Sequence, residues 1–261
     1  MKQESISWII LILLGLTVSG VHAAGLELAV GGWQQNPSGT LSYQAINADD
    51  VLNIEDNLNY DTENRVFGRL KIELPAFSPN IYLVAAPVEF EGIGRKSVDF
   101  MFGDQTFRGN ADVYSKVKLN QYDLALYVAV PGIHAATAGV FNIDIGFNVR
   151  IMDLSAEVNG ESSTFPGTNV AVKESLTVAI PMFYVAAQLT PTDNLAIEAE
   201  VRGISISDNS LWSFIGRLRL NIAGPAFIAG GYRLDTLDIN KEDVVVDADI
   251  GGPFIEVGLK F

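Results

Sequence analysis

The sequence predicts an all-β fold, an antiparallel up-and-down transmembrane β-barrel of ten strands, and three observations support this prediction. Apolar and polar residues alternate with a period of two along many segments, as they do in strands whose two faces meet different surroundings. After residue 20, no apolar run approaches the roughly 20 residues that a membrane helix needs. The links between these segments are short and long in turn, as the two ends of a membrane barrel require.

Composition excludes several classes of protein. The chain has 261 residues, no cysteine and a formal net charge of -14. Without cysteine, neither a disulfide scaffold nor a thiolate metal site is available. Because so acidic a chain repels phosphate, we do not expect nucleic acid as a partner.

The N-terminus has the pattern of a secretory signal peptide. Lys2 supplies a positive charge, the segment from Trp8 to Val18 is apolar, and Val21 and Ala23 are small residues placed where signal peptidase cuts. An anchoring helix is the alternative, but the apolar run is too short and an alternating pattern follows at once. We expect cleavage after Ala23, so residues 1–23 are a predicted signal peptide and residues 24–261 a single barrel domain.

The first strand is predicted over Gly25–Trp33, with Trp33 expected near a membrane interface. The next segment, Gln34–Asn64, holds proline, glycine and many acidic residues, which predicts a long exposed loop. Within it Val51, Ile54 and Leu58 have helical spacing. They fit either a short helix or a small apolar cluster under the loop.

Three more strands follow. The second, Arg65–Leu74, sets a plainly charged face against an apolar one. The third, Ile81–Phe90, has apolar or small residues on both faces, so its register is open. The fourth, Tyr114–Val130, alternates best in its second half, where Asp123 lies on the polar face.

The fifth strand, from Phe141 to Arg150, alternates most clearly of all. A long loop is predicted over Met152–Thr168. The sixth strand, Val170–Leu189, contains Pro181, which predicts a bend or bulge. The seventh, Leu195–Arg202, again opposes apolar and charged residues.

The last three strands are predicted over Trp212–Ile222, Ala226–Asp235 and Gly251–Phe261. The acidic segment Thr236–Ile250 between the last two predicts a final long loop. Links after strands two, four, six and eight are short, those after one, three, five and nine are long, and only the link near Asp208 departs from this rhythm. An even strand number returns both termini to the periplasmic side.

The closing strand and four internal stretches carry a resemblance to known proteins. The strand ending in Phe261 resembles the assembly signal of Gram-negative outer-membrane barrels. The internal stretches are similar to an uncharacterised family of small outer-membrane barrels, for which no activity is established. This resemblance implies export to the outer membrane, with membrane lipid, lipopolysaccharide and the barrel-assembly machinery as partners. The four stretches are Gly31–Gly39, Pro75–Leu83, Gln121–Val128 and Pro181–Pro191.

Charged residues recur on the polar faces, which line the lumen if the apolar faces meet lipid. Arg65 and Asp235 lie at predicted strand ends and are assigned to the rim. The other eight positive and seven negative residues make a nearly neutral network. This predicted lumen charge network consists of Glu27, Arg69, Lys71, Glu73, Asp123, Asp144, Arg150, Glu198, Glu200, Arg202, Arg217, Arg219, Arg233, Glu256 and Lys260.

Two functions fit such a lumen. In one, the barrel is a narrow pore or binding barrel for small polar solutes, with the arginines of strands seven to nine binding or passing an anion. In the other, charged side chains fill and close the lumen, and a structural or adhesive barrel acts through its acidic external loops. Both remain open from the sequence.

The closing strand is predicted to turn one face to lipid and to seal the barrel against the first strand. Its lipid-facing residues are Ile255, Val257, Leu259 and Phe261. A soluble periplasmic sandwich or lipocalin-like barrel would instead bury these residues, and alternation alone does not separate the two.

We expect no enzyme, cofactor or metal site. The predicted mature chain has one histidine, His134, in a predicted periplasmic turn, which is the wrong end for surface hydrolysis. The acidic loops offer carboxylates that suit Ca²⁺ or Mg²⁺. Their spacing matches no EF-hand, and we favour solvated loops that keep the surface soluble.

Overall fold

In the computed structural model, which describes residues 25–75, 78–241 and 243–261, the chain forms a closed antiparallel barrel of ten strands. The predicted signal peptide lies outside the described residues. The strands are β1 (Gly25–Tyr43), β2 (Leu52–Asn53), β3 (Glu63–Glu73), β4 (Asn80–Ala86), β5 (Glu89–Arg95), β6 (Phe100–Phe102), β7 (Gln105–Phe107), β8 (Asp112–Ala129), β9 (Phe141–Glu161), β10 (Asn169–Thr192), β11 (Leu195–Ile206), β12 (Asn209–Ala223), β13 (Ala226–Lys241) and β14 (Val244–Lys260).

Ten of these strands build the barrel wall, and the predicted fold class is confirmed. They are β1, β3, β4 and β8–β14, each hydrogen-bonded to the next. β14 pairs with β1 from Glu27 opposite Lys260 to Tyr43 opposite Val244, which is the predicted seam. Both ends of the described chain lie at one end of the barrel, called here the terminal end. The opposite end is called the outer end.

The faces of the wall are those of a membrane barrel. Leucine, isoleucine, valine and phenylalanine side chains of nine wall strands, together with Tyr232 of β13, point outward and form an exposed apolar belt, whereas charged side chains point inward. An apolar surface of this extent is what a barrel presents to lipid. It is the reverse of the soluble alternative, which would bury Val257 and Leu259. Among the described residues, no helix has the length and apolar character to cross a membrane.

The wall extends far beyond the belt at the outer end, and two predicted loops are wrong. Met152–Glu161, the larger part of Met152–Thr168, belongs to β9, and most of Thr236–Ile250 belongs to β13 or β14. Both faces of these extensions meet water or loops, so apolar and polar residues need not alternate there although the backbone still pairs. Asp153 opposite Thr177 is an example of such a polar pair.

β10 continues through Pro181, where a bend or bulge was predicted, and no bulge interrupts its ladder with β9. Its pairing with β9 is continuous from Asn169 to Leu189. Pairing with β11, in contrast, stops at Phe183, just below the proline. The proline therefore marks the end of one ladder, because it has no N–H to continue that ladder.

The outer half of the lumen holds an apolar core contributed largely by loops. Leu52, Ile54 and Leu58 pack with aromatic residues of the second loop and of the wall. The apolar-cluster interpretation of the first loop is thus correct for Ile54 and Leu58, whereas Val51 is exposed and Leu52 joins the cluster instead. No helix forms at Val51–Leu58. A 3-10 helix occupies Ala48–Asp50. The other helix, α1 (Ile133–Ala136), lies in the terminal-end turn and contains His134.

One buried carboxylate holds these loops together. Asp50 accepts backbone N–H groups of Met101 at 2.7 Å, Ile46 at 2.8 Å and Asn47 at 3.0 Å. Burial opposes ionisation, but these three hydrogen bonds outweigh it and lower the pKa of Asp50. The carboxylate therefore joins the first outer loop to the second.

Candidate functional site

The candidate site is the lumen, where inward positions of neighbouring strands place opposite charges side by side. Arg69 of β3 lies between two carboxylates. Its guanidinium is 2.8 Å from Glu256 of β14 and is also bonded to Glu27 of β1. These three strands meet at the seam, so the network joins the two ends of the sheet.

Arg217 is the centre of the network. Glu198 lies directly opposite it on β11, with 2.8 Å between Nη1 and Oε2. The same Nη1 lies 2.9 Å from Glu200, and Nε lies 3.0 Å from Glu256. Arg219, one inward position nearer the terminal end, contacts Glu198 at 2.9 Å and Glu27 at 3.1 Å. Each carboxylate therefore has more than one cationic neighbour.

A second group of charges lies nearer the outer end. Arg150 binds Asp123 with its Nε at 2.9 Å. Arg233 binds Asp235 at 2.7 Å, and the Ser213 hydroxyl donates to the same carboxylate at 2.6 Å. Asp235 was assigned to the rim and that assignment is wrong. β13 continues to Lys241, so Asp235 sits within the lumen as an inward neighbour of Arg233.

Aromatic residues, which the sequence analysis did not single out, complete the lumen. The Arg202 guanidinium lies 4.9 Å from the ring centre of Tyr82 and 5.4 Å from that of Tyr184. Its Nη2 also lies 3.0 Å from Glu200, and the Lys71 ammonium contacts the same carboxylate at 3.5 Å. Inward tyrosines on predicted strands three and six were the available signal.

Trp33 belongs to the lumen and not to a membrane interface, where it was expected. Its side chain is only 1% exposed, and the Arg233 guanidinium lies 4.5 Å from its ring centre. The parity of β1 explains the correction. Leu26 and Val30 are even-numbered and face outward, so odd-numbered Trp33 faces inward.

Three members of the predicted network lie at the terminal rim and are partly exposed. Glu73 and Lys260 face each other at 3.9 Å. Asp144 accepts a hydrogen bond from Asn142 at 2.7 Å. Arg65, assigned to a rim, is at the outer mouth and donates to the Glu89 carbonyl at 2.8 Å.

The described lumen is electrically balanced and closed. Six arginines and six carboxylates are buried in it: Arg69, Arg150, Arg202, Arg217, Arg219, Arg233, Glu27, Asp123, Glu198, Glu200, Asp235 and Glu256. Arg150 and Asp235 are both 0% exposed, so no water-filled passage reaches them. A cavity of about 20 Å³ beside Trp33 and Arg217 is large enough for about one water molecule.

The outer extension is a second feature of interest. β5, β8, β9 and β10 form a sheet beyond the belt, whose outward residues are mainly polar or charged. Within the described residues, no three or more histidine or carboxylate side chains cluster as a metal site would require.

Comparison with known proteins gives similarity of fold. No protein-family model and no curated protein matches the chain. The attachment invasion locus protein Ail of Yersinia pestis, solved with the heparin analogue sucrose octasulfate, is 10% identical, and the match covers 91% of this chain and 98% of Ail with a TM-score of 0.37. The translocator domain of the autotransporter NalP from Neisseria meningitidis is 11% identical, and the match covers 98% of this chain and 94% of that domain with a TM-score of 0.46. The toluene transporter TbuX of Ralstonia pickettii is 11% identical, and the match covers 91% of this chain and 90% of TbuX with a TM-score of 0.31. All three are Gram-negative outer-membrane β-barrels, the group that the closing strand resembles.

Proposed function

We propose that this chain is an integral outer-membrane barrel that acts at the cell surface, as a binding or adhesive protein, while its lumen stays closed. The observation that carries the proposal is the buried, neutral set of ion pairs that fills the lumen. A barrel without a passage has its outer end as the part available for function.

The membrane location is supported by the apolar belt and by the closing strand. Ile255, Val257, Leu259 and Phe261 are all exposed on the outside of the wall. The backbone of Phe261 pairs with Leu26 in both directions, at 2.8 and 3.1 Å. We propose that lipid and lipopolysaccharide surround this belt, and that the assembly machinery recognises the closing strand.

The competing function, a narrow pore for small polar solutes, needs water to reach the middle of the lumen. Arg150, Asp235 and Ser213 are inaccessible there, and above them lies the apolar core of the loops. Leaving one charge of a buried pair without its partner costs about 3–5 kcal/mol. Several pairs would have to separate together to admit a hydrated ion, so the closed barrel is favoured.

Two measurements on one preparation test the proposal. Refolded mature protein, checked by heat-modifiable migration, should give no conductance steps in planar bilayers. Because the chain has no cysteine, a single cysteine at Phe165 should react with a membrane-impermeant maleimide on intact cells. A cysteine at His134, at the terminal end, is the matched control and should react only after permeabilisation. Stepwise conductance would refute the closed lumen, and labelling of His134→Cys alone would refute the orientation.

A further inference from the structure

The outer part of β10 has one edge to which no strand of the described residues is bonded. β9 pairs with β10 from Asn169 to Leu189, whereas β11 pairs with it only from Phe183 onward. β11 ends at Ile206, where a tight turn leads into β12. Fourteen residues of β10, Asn169–Met182, therefore border a notch in the wall of the barrel extension.

The backbone groups at this edge are identified by the hydrogen bonds at both ends of the β9–β10 hairpin. Thr190 N–H donates to the Val140 carbonyl at 2.7 Å, and Ser162 N–H donates to the Thr168 carbonyl at 2.8 Å. Thr190 and Thr168 are both even-numbered, and hydrogen-bonded and non-hydrogen-bonded pairs alternate along an antiparallel ladder. Even-numbered residues of β10 therefore point their backbone groups toward β9. Odd-numbered residues of β10 therefore point their N–H and C=O groups toward the notch. Among them, Pro181 has no N–H, which closes the lower end of the edge.

Apolar side chains lie along the inner face of the same edge. Leu176 is 59% exposed. Val178 and Ile180 are partly buried and pack against Met152, Met182, Leu211 and Leu237. An added strand with apolar residues on this face would cover Leu176 and extend that cluster.

Charges on the outward face form a row that stops at the edge. Each member of the row lies directly opposite the next on the neighbouring strand: Glu91 on β5, Lys116 on β8, Glu157 on β9 and Lys173 on β10. Lys116 contacts Glu91 at 2.7 Å, and Lys173 contacts Glu157 at 3.3 Å. The Lys173 side chain is 70% exposed and has a carboxylate on one side only. The alternation calls for another carboxylate on the next strand.

We propose that this edge binds an extended segment of a partner polypeptide, which adds to β10 as an antiparallel strand. The segment carries alternating apolar residues toward Leu176 and an acidic residue opposite Lys173. Main-chain hydrogen bonds supply affinity in this mode, and alternate side chains supply selectivity. The inference rests on the proposed surface function and names its site and the chemistry of its partner.

A second copy of the chain does not fit this edge. Two copies in one membrane share the same direction across it, so their β10 strands would meet parallel and with opposite tilts. Such strands do not form an antiparallel ladder. Lys173 is also about 20 Å along the strand from the end of the apolar belt at Ala179, since strands rise about 3.3 Å per residue. A soluble polypeptide can reach it there.

The test uses a synthetic strand as the probe. It is a fluorescent ten-residue peptide of alternating threonine and valine with one central glutamate on the threonine side. Fluorescence anisotropy with the refolded full mature chain should show saturable binding. The same peptide N-methylated at alternate residues, on the edge that would face β10, should bind at least about tenfold more weakly, because it lacks the N–H groups of the ladder.

Variants at the edge locate the site. Ser175→Pro removes one N–H that faces the notch and leaves the ladder with β9 complete, as Pro181 does naturally. It should weaken binding about tenfold or more, whereas the matched control Ser175→Ala should leave binding unchanged. Lys173→Glu should weaken binding of the peptide that contains glutamate and strengthen binding of a peptide that has lysine in place of that glutamate. Heat-modifiable migration verifies that every variant is folded.

The outcomes separate the two proposals. Equal binding of plain and N-methylated peptides, equal binding by Ser175→Pro, or no binding would overturn strand addition at β10. None of these results changes the conductance or the labelling of the outer end, on which the surface function depends. Conductance by the wild-type chain would refute the closed barrel while leaving the peptide result intact.

Discussion

Replacing Arg217 by methionine should strongly destabilise the barrel. Its guanidinium lies within 3.0 Å of Glu198, Glu200 and Glu256, and the residue is almost fully buried. Removing one partner of a buried pair costs about 3–5 kcal/mol, because the other charge stays buried without compensation. Each of the three carboxylates keeps a second cation, so the expected cost stays within this range and does not triple. The retained contacts are Glu198 with Arg219 at 2.9 Å, Glu200 with Arg202 at 3.0 Å and Glu256 with Arg69 at 2.8 Å.

The assay is urea-induced unfolding of the refolded chain in lipid vesicles, followed by tryptophan fluorescence, since Trp33 is buried in the lumen. Lys173→Met is the matched control, because it removes a cation from a largely exposed pair, which is worth about 0–1 kcal/mol. A loss of less than about 1 kcal/mol for Arg217→Met would show that the surrounding carboxylates do not need Arg217 to compensate their charge, and would refute the reasoning.

Two further predictions concern the loops and the closing strand. Asp50→Asn should loosen the outer loops by about 1–3 kcal/mol, since one amide oxygen replaces a carboxylate that accepts three N–H groups, and hydrogen exchange of the Met101 amide measures it. Because the folded pKa of Asp50 is lowered, the wild-type contact is present above the ordinary carboxyl pKa and is lost as pH falls through the folded pKa. The Met101 amide of the wild type should therefore exchange faster in acid, and the variant should lack this acid-dependent rise. Unchanged exchange of the variant at neutral pH would contradict the role of Asp50. Phe261→Ala should refold normally in vitro, because the backbone pairing with Leu26 remains, but should assemble less in cells; equal assembly of both chains in cells would contradict recognition of the closing strand.

The wall of the barrel was predictable because the membrane imposes a period of two on every strand that crosses it. Leu218, Arg219 and Leu220 illustrate this, since lipid and lumen select opposite residue types at successive positions. The lumen assignments of Arg217 and Arg219 follow directly from the same parity. Where the belt ends, that constraint ends too, and the extensions of β9, β13 and β14 were mistaken for loops.

The period of two along the strands does not predict how the loops fold against one another. Leu52, Ile54 and Leu58 are buried because a second loop, distant in sequence, covers them. No local pattern encodes that contact. Trp33 and Asp235 were misplaced for a simpler reason, because both stand near predicted strand ends and the strands continue past them. Applying the parity of each predicted strand to its last residue would have placed both inside.

The buried charges of the lumen explain how one fold is selected. A well-packed apolar interior of the same volume would often be as stable as paired ions or more so. It would also make both faces of each strand apolar, and either face could then meet lipid. With Arg217, Glu198 and Glu256 in place, a slip of one residue between strands would turn these charges toward the membrane. A charge at the centre of the bilayer is costly, about 2–4 kcal/mol for each arginine on the lipid face of a barrel. The six buried arginines therefore penalise a slip of any strand that carries one of them, which are β3, β9, β11, β12 and β13. The closed lumen fixes the geometry that carries β10 and its open edge away from the membrane.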